Sequence, residues 1–135
     1  MKHLDLRPVS IIGVPSDIGA SFIGARMGPE ALRVAGIAQA IARYGCAVRD
    51  CGDVRGPVNP DAPAVAGYRH LDEVVTWNRA VFEAVYGELT AGRLPLMMGG
   101  DHSLAIGSIS AVARYCRERG RKLRILWFDA HADFN

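Results

Sequence analysis

The sequence predicts an α/β fold with a mainly parallel sheet. Three observations predict it. Short apolar runs recur along the chain without strict alternation, as in strands covered on both faces. Segments with apolar residues at three- and four-residue steps separate them. Polar clusters follow directly after the last two runs, where the carboxyl ends of parallel strands would lie and where such sheets bind ligands. Strands separated by helices favour parallel pairing through right-handed crossovers.

The first strand is Val9–Val14, an apolar run closed by Pro15. A glycine-rich loop covers residues 16–27. Gly28-Pro29-Glu30 then opens a helix, with proline in the first turn where its missing N–H is no loss. Leu32, Gly36, Ile37, Ala40 and Ile41 give that helix one buried face, and Gly45 ends it. Residues 46–49 read as a second strand. Residues 51–68, with Gly52, Gly56 and Pro57, read as a surface excursion. Leu71, Val74, Val75, Asn78, Val81, Phe82, Val85 and Leu89 form the clearest amphipathic helix, stopped by Gly92. Residues 94–98 are a third strand, 103–119 a helix, and 123–128 (LRILWF) a fourth strand. No repeat, low-complexity tract or linker divides the chain, so residues 1–135 read as one domain.

Half of the residues are apolar, 22% are charged, and the net charge is +2, too small to argue for nucleic acid or an anionic membrane. The one basic cluster, Arg117, Arg119, Arg121, Lys122 and Arg124, falls at a helix end where cations suit the dipole. No run reaches the ~18 apolar residues of a membrane span, and residues 1–8 lack a signal-peptide core. Cys46, Cys51 and Cys116 are odd in number and without C-x-x-C spacing. A cytoplasmic protein is the expectation. Gly13, Gly19 and Gly24 form no dinucleotide fingerprint.

The chemistry concentrates in two clusters. Asp101-His102 follows the third strand; Asp129, His131 and Asp133 follow the fourth. In an extended segment, residues i, i+2 and i+4 point to one side, so these three can converge while Ala130 and Ala132 stay out of the way. Neighbouring strands would bring His102 to the same crevice. Two carboxylates and two imidazoles suit a borderline-hard divalent ion such as Mn²⁺. The absence of thiolates argues against structural zinc. A carboxylate-rich cluster can hold two ions ~3.5–4 Å apart with an acidic bridging water. Taken singly, each cluster has a plainer reading: the glycines of Gly99-Gly100-Asp101-His102-Ser103 serve a strand-to-helix turn, and Asp101 forms that turn or supports a ligand from behind. His70, at a helix start, reads as solvent-facing, and Met97 and Met98 as core.

The run from Gly99 to Ile109 (GGDHSLAIGSI) resembles the first signature of arginases, within the ureohydrolases, and Asp129-Ala130-His131-Ala132-Asp133-Phe134-Asn135 resembles the second. Ile12-Gly13-Val14-Pro15 and Gly28-Pro29-Glu30-Ala31-Leu32-Arg33 resemble the start of the same family. Phe134 stands where an aliphatic residue is common. The resemblance implies a three-layer α/β/α fold with a mainly parallel sheet, a partial arginase fold, with a binuclear manganese cluster. His102 and Asp133 would bind one Mn²⁺, His131 the other, and Asp129 both. A metal-bridging hydroxide would attack the guanidinium carbon of L-arginine, giving L-ornithine and urea. His131 and Asn135 would contact substrate, Asn135 at the α-carboxylate that agmatine lacks. A homo-oligomer, trimer or hexamer, is implied likewise.

The family's third signature, an Asp-x-Asp pair, and its later His and Glu are not among these residues. The chain is therefore expected to be the N-terminal part of a single arginase-like domain, inactive alone. The alternatives are an agmatinase or another guanidino-substrate ureohydrolase, and a truncated non-catalytic metal-binding fragment.

Overall fold

The computed structural model describes residues 6–131. Its sheet has three parallel strands: β1 (Val9–Val14), β2 (Val48–Asp53) and β3 (Leu94–Gly99), in the order β2-β1-β3. Between β1 and β2 lie a 3-10 turn (Ala25–Met27) and helices α1 (Gly28–Val34) and α2 (Ile37–Ala42). Helix α3 (Leu71–Thr90) joins β2 to β3. A 3-10 turn (His102–Leu104) and helix α4 (Ala105–Glu118) follow β3. The arrangement is a three-layer α/β/α fold. The crossovers from β1 to β2 and from β2 to β3 run in opposite directions along the sheet, so right-handed connections put α1 and α2 on one face and α3 on the other, where α4 packs against it.

Every residue of β1 is buried, as the unalternating apolar run requires of a central strand. Ile12 and Val14 join Ile18, Trp77, Val81, Val85, Leu89, Leu104 and Ala111 in the main core under α3 and α4. Ile11, one step along the pleat, is equally buried on the other face. Helices α3 and α4 approach closely at Gly107, whose N–H donates to Asn78 Oδ1 at 2.6 Å.

Four boundaries differ from expectation. The first helix breaks at Gly36, which adopts a left-handed conformation (φ 82) and separates α1 from α2. A glycine that fits the buried face by spacing is also the residue that most readily takes positive φ. The second strand runs from Val48 to Asp53, further into polar sequence than 46–49, so the loop begins at Val54. It is an exposed edge. Its acidic residues are balanced by Arg33 of α1, which donates to both Asp50 oxygens (2.8 and 3.1 Å) and to Asp53 (2.7 Å). A bulge opposite Ile12 is absorbed at Gly52 (φ 77). The helix after β3 starts as a 3-10 turn before α4.

The fourth departure is the largest: residues 123–128 form no strand. Leu123, Arg124 and Ile125 line a groove of about 380 Å³ with Pro95 and Met97 of β3 and Ser108, Ile109 and Val112 of α4. Leu126, Trp127 and Phe128 are exposed. A run apolar on both faces becomes a strand when hydrogen-bonded neighbours and a cover on each face are available; among the described residues no ladder joins it to the edge strand β3, and Leu126 and Phe128 have no cover. His70 also departs from its solvent-facing reading. It is buried, in a left-handed conformation (φ 51), with Nδ1 3.3 Å from the Ile18 carbonyl oxygen. Among the described residues, no helix is long and apolar enough to cross a membrane.

At the amino end of the sheet, fully buried Ser10 donates to Glu88 of α3, and Arg93 Nε donates to both, at 3.1 Å to Ser10 Oγ and 2.5 Å to Glu88. Arg93 and then Ser10 hold the Glu88 carboxyl down at about 2, against an ordinary 4.5. A depressed folded value means the stabilisation is complete above the unfolded value near 4.5 and is lost as pH falls towards 2. Glu88→Gln is expected to lower stability at neutral pH by on the order of 2 kcal/mol, the pair being partly solvent-screened. It should also flatten the acid limb of stability against pH. Urea unfolding from pH 7 to pH 2 checks both; identical acid limbs would rule out this role for Glu88.

Candidate metal centre

The carboxyl ends of β1 and β3 are stitched together. Gly100 N–H donates to the Val14 carbonyl (3.2 Å) and Asp101 N–H to the Ser16 carbonyl (3.0 Å). Asp101 then caps the His102–Leu104 turn, its Oδ1 accepting the Ser103 N–H at 2.9 Å. This places His102 at the mouth of the sheet's carboxyl edge, with its side chain exposed and Leu104 buried beneath it. The turn-forming role expected of Asp101 is the one it has.

Asp129 reaches the same place without the help of a fourth strand. Its Oδ2 lies 3.9 Å from His102 Nδ1, and its Oδ1 lies 3.8 Å from His131 Nδ1. The chain bends at residues 130–131, and His131 N–H donates to Asp129 Oδ1 at 3.0 Å. The same-side spacing expected of an extended segment is therefore replaced, over 129–131, by a short Asx turn, the local bond an aspartate makes when no ladder claims the backbone. Trp127 stands edge-on to the His102 ring, centroids 6.4 Å apart. Asp133 and Asn135 lie outside the described residues.

The His131 N–H holds the Asp129 carboxyl below the usual carboxylate range, and both imidazoles add to this. A carboxylate flanked by two imidazoles fits a borderline-hard divalent cation. Among the described residues no three His, Cys, Asp or Glu side chains converge into one group able to hold an ion. What is assembled is two pairs that share Asp129.

Residues whose part here was not read from the sequence lie in the loop after β1. Asp17 is a buried carboxylate, and His70 reaches that loop from the start of α3. The signal available in the sequence was Asp17 directly after a closed apolar strand, but a lone acidic residue in a glycine-rich loop has no periodicity to set it apart.

The chain is 39% identical over 127 residues to an arginase of Brevibacillus brevis, covering 94% of this chain and 41% of that one. The crystal structure of Bacillus caldovelox arginase superposes with a TM-score of 0.86 at 36% identity, over 96% of this chain and 43% of that one. A hypothetical agmatinase from Burkholderia thailandensis superposes with a TM-score of 0.59 at 26% identity, over 86% and 36% respectively. The chain spans about two fifths of the length of the curated relatives it matches. The arginase family model matches residues 7–135, a span that takes in all three strands and both signature runs: the chain belongs to the arginase family.

Proposed function

We propose that this chain is the N-terminal part of a single arginase-like domain whose intact protein hydrolyses L-arginine to L-ornithine and urea with two Mn²⁺ ions. His102, Asp129, His131 and Asp133 would hold the ions, Asp129 serving both. Ions bound there supply a water acidic enough to act as a nucleophile near neutral pH. Asp129 brings negative charge to balance the cations, and His102 and His131 bring neutral nitrogen donors from either side of it. Asn135 would offer its amide to the substrate α-carboxylate and, with His131, orient the amino-acid end. The observation that supports this reading most is the Asp129 carboxylate standing between His102 and His131.

Arginine is favoured over agmatine by Asn135 and by the closer likeness to arginases than to the agmatinase. The test is urea release by the intact protein from L-arginine and from agmatine, with added Mn²⁺ and with chelator. Arginine should be strongly preferred and chelation should abolish turnover. Asn135→Ala should lower kcat/KM for arginine by about tenfold or more, as for loss of a hydrogen bond to a charged group, and leave agmatine little changed. An unchanged preference in that variant removes the role given to Asn135. Preference for agmatine in the parent moves the assignment to an agmatinase, and no turnover of either substrate leaves a non-catalytic metal-binding protein.

A further inference from the structure

We infer that the turn formed by Asp17, Ile18 and Gly19 is a positioning device for His102, acting through Asp101. The inference rests on His102 being a metal ligand, as proposed above.

Three consecutive residues of this turn are each held by partners of their own. The Asp17 side chain is fully buried. It accepts the Gly24 N–H at 2.7 Å and the Asn59 amide at 2.8 Å, with Arg26 at 4.0 Å. Burial pushes the Asp17 carboxyl up, but these three neighbours outweigh it and keep it below the usual range. The Ile18 side chain is fully buried, and its carbonyl faces His70 Nδ1 at 3.3 Å. Gly19 N–H donates to Asp101 Oδ2 at 3.0 Å.

That last bond crosses from the loop after β1 to the turn after β3. Capping the turn needs one oxygen of Asp101, the one that accepts Ser103 N–H. The second oxygen is used by Gly19, and the Asp101 backbone N–H by Ser16. Asp101 is therefore held on three sides, and His102 is the next residue. A carboxylate without exposed surface and a histidine in left-handed conformation are both costly. Both are used to fix a loop that is bonded to Asp101, the residue before the proposed ligand His102. The fit is close as well: a Cβ on Gly19 would sit 2.6 Å from Ser103 Oγ and 2.9 Å from Asp101 Oδ1.

Two variants loosen the link from opposite sides. Asp101→Asn keeps the shape but leaves one acceptor oxygen for two N–H groups. Gly19→Ala leaves Asp101 intact and pushes the turns apart. The measurement is Mn²⁺ titration of the metal-free intact protein, followed by bound metal and by electron paramagnetic resonance. Both variants should raise the dissociation constant of one ion about 10- to 100-fold, the usual loss when a supporting partner of a ligand is removed. The second ion should bind as in the parent, so the signal of a coupled pair gives way to that of an isolated ion. The melting temperature of metal-free Asp101→Asn should fall by no more than the few degrees that one lost hydrogen bond costs. Parental affinity for both ions in both variants overturns the inference. So does a parallel fall in both affinities together with thermal stability, which would make the turn a fold element alone. Asp129→Ala is measured beside them: if it retains both ions, the metal reading fails, whereas its loss of metal alongside unchanged Asp101→Asn and Gly19→Ala rejects the positioning role alone.

Discussion

Replacing Asp129 by alanine in the intact protein is expected to lower manganese affinity by more than about 100-fold, beyond the 10- to 100-fold typical of residues that only support a ligand. Arginine hydrolysis should fall with it. The reason is position. Asp129 is the carboxylate that the structure sets within 4 Å of both His102 and His131, so its removal strips the negative charge from both imidazoles at once. His102→Ala and His131→Ala each remove a donor from one side and should be milder in metal content. The fold should tolerate Asp129→Ala, because its direct bond is the local one to His131 N–H, on a segment outside the sheet. Metal analysis after dialysis, urea release and thermal unfolding together make the test. Full manganese occupancy with full activity in Asp129→Ala would sink the assignment; a collapsed melting temperature would instead make Asp129 a structural residue.

The parts of this molecule that were legible in its sequence are those whose burial is decided by their own neighbours. β1, α3 and β3 appear within a residue of their expected bounds because each has its core partners within the chain: Val81, Val85 and Leu89 of α3 close over Ile12 and Val14. β2 was misplaced because its strand character depends on Arg33, whose guanidinium neutralises Asp50 and Asp53 from another element. No local pattern announces an edge strand built from such residues. Residues 123–128 show the reverse failure. Their apolar run is strong, but an apolar run states a need for cover and not the presence of it. Leu126 and Phe128 stay exposed because no described element packs on them. His102 and Asp129 were nonetheless legible as neighbours: the glycine turn after β3 sets His102 at the sheet's edge, and Asp129 reaches it although the strand expected to carry it does not form. His70 was not, because its burial is set by the Ile18 carbonyl, 52 residues away.

Gly100→Ala is expected to destabilise the chain by about 3 kcal/mol or more, the upper end of overpacking costs with a hydrogen bond added. The glycines before Asp101 look alike in sequence, yet the structure separates them. A Cβ on Gly100 would lie 1.8 Å from the Ser16 carbonyl oxygen, 2.8 Å from its carbon and 3.0 Å from its nitrogen. All three are backbone atoms, so no side chain can swing aside; the ends of β1 and β3 must part. Parting them stretches the bonds from Gly100 N–H to Val14 and from Asp101 N–H to Ser16. A Cβ on Gly99 would meet nothing closer than 3.9 Å, an ordinary contact. Gly99→Ala is therefore the control, with an expected cost below about 1 kcal/mol, as for a surface or strand position without a clash. Denaturant unfolding of the two variants reads the difference directly. Equal stability of Gly100→Ala and Gly99→Ala would mean that the close approach of the β1 and β3 loops is not maintained in solution. The placement of His102 at the mouth of the sheet would then lose its physical basis.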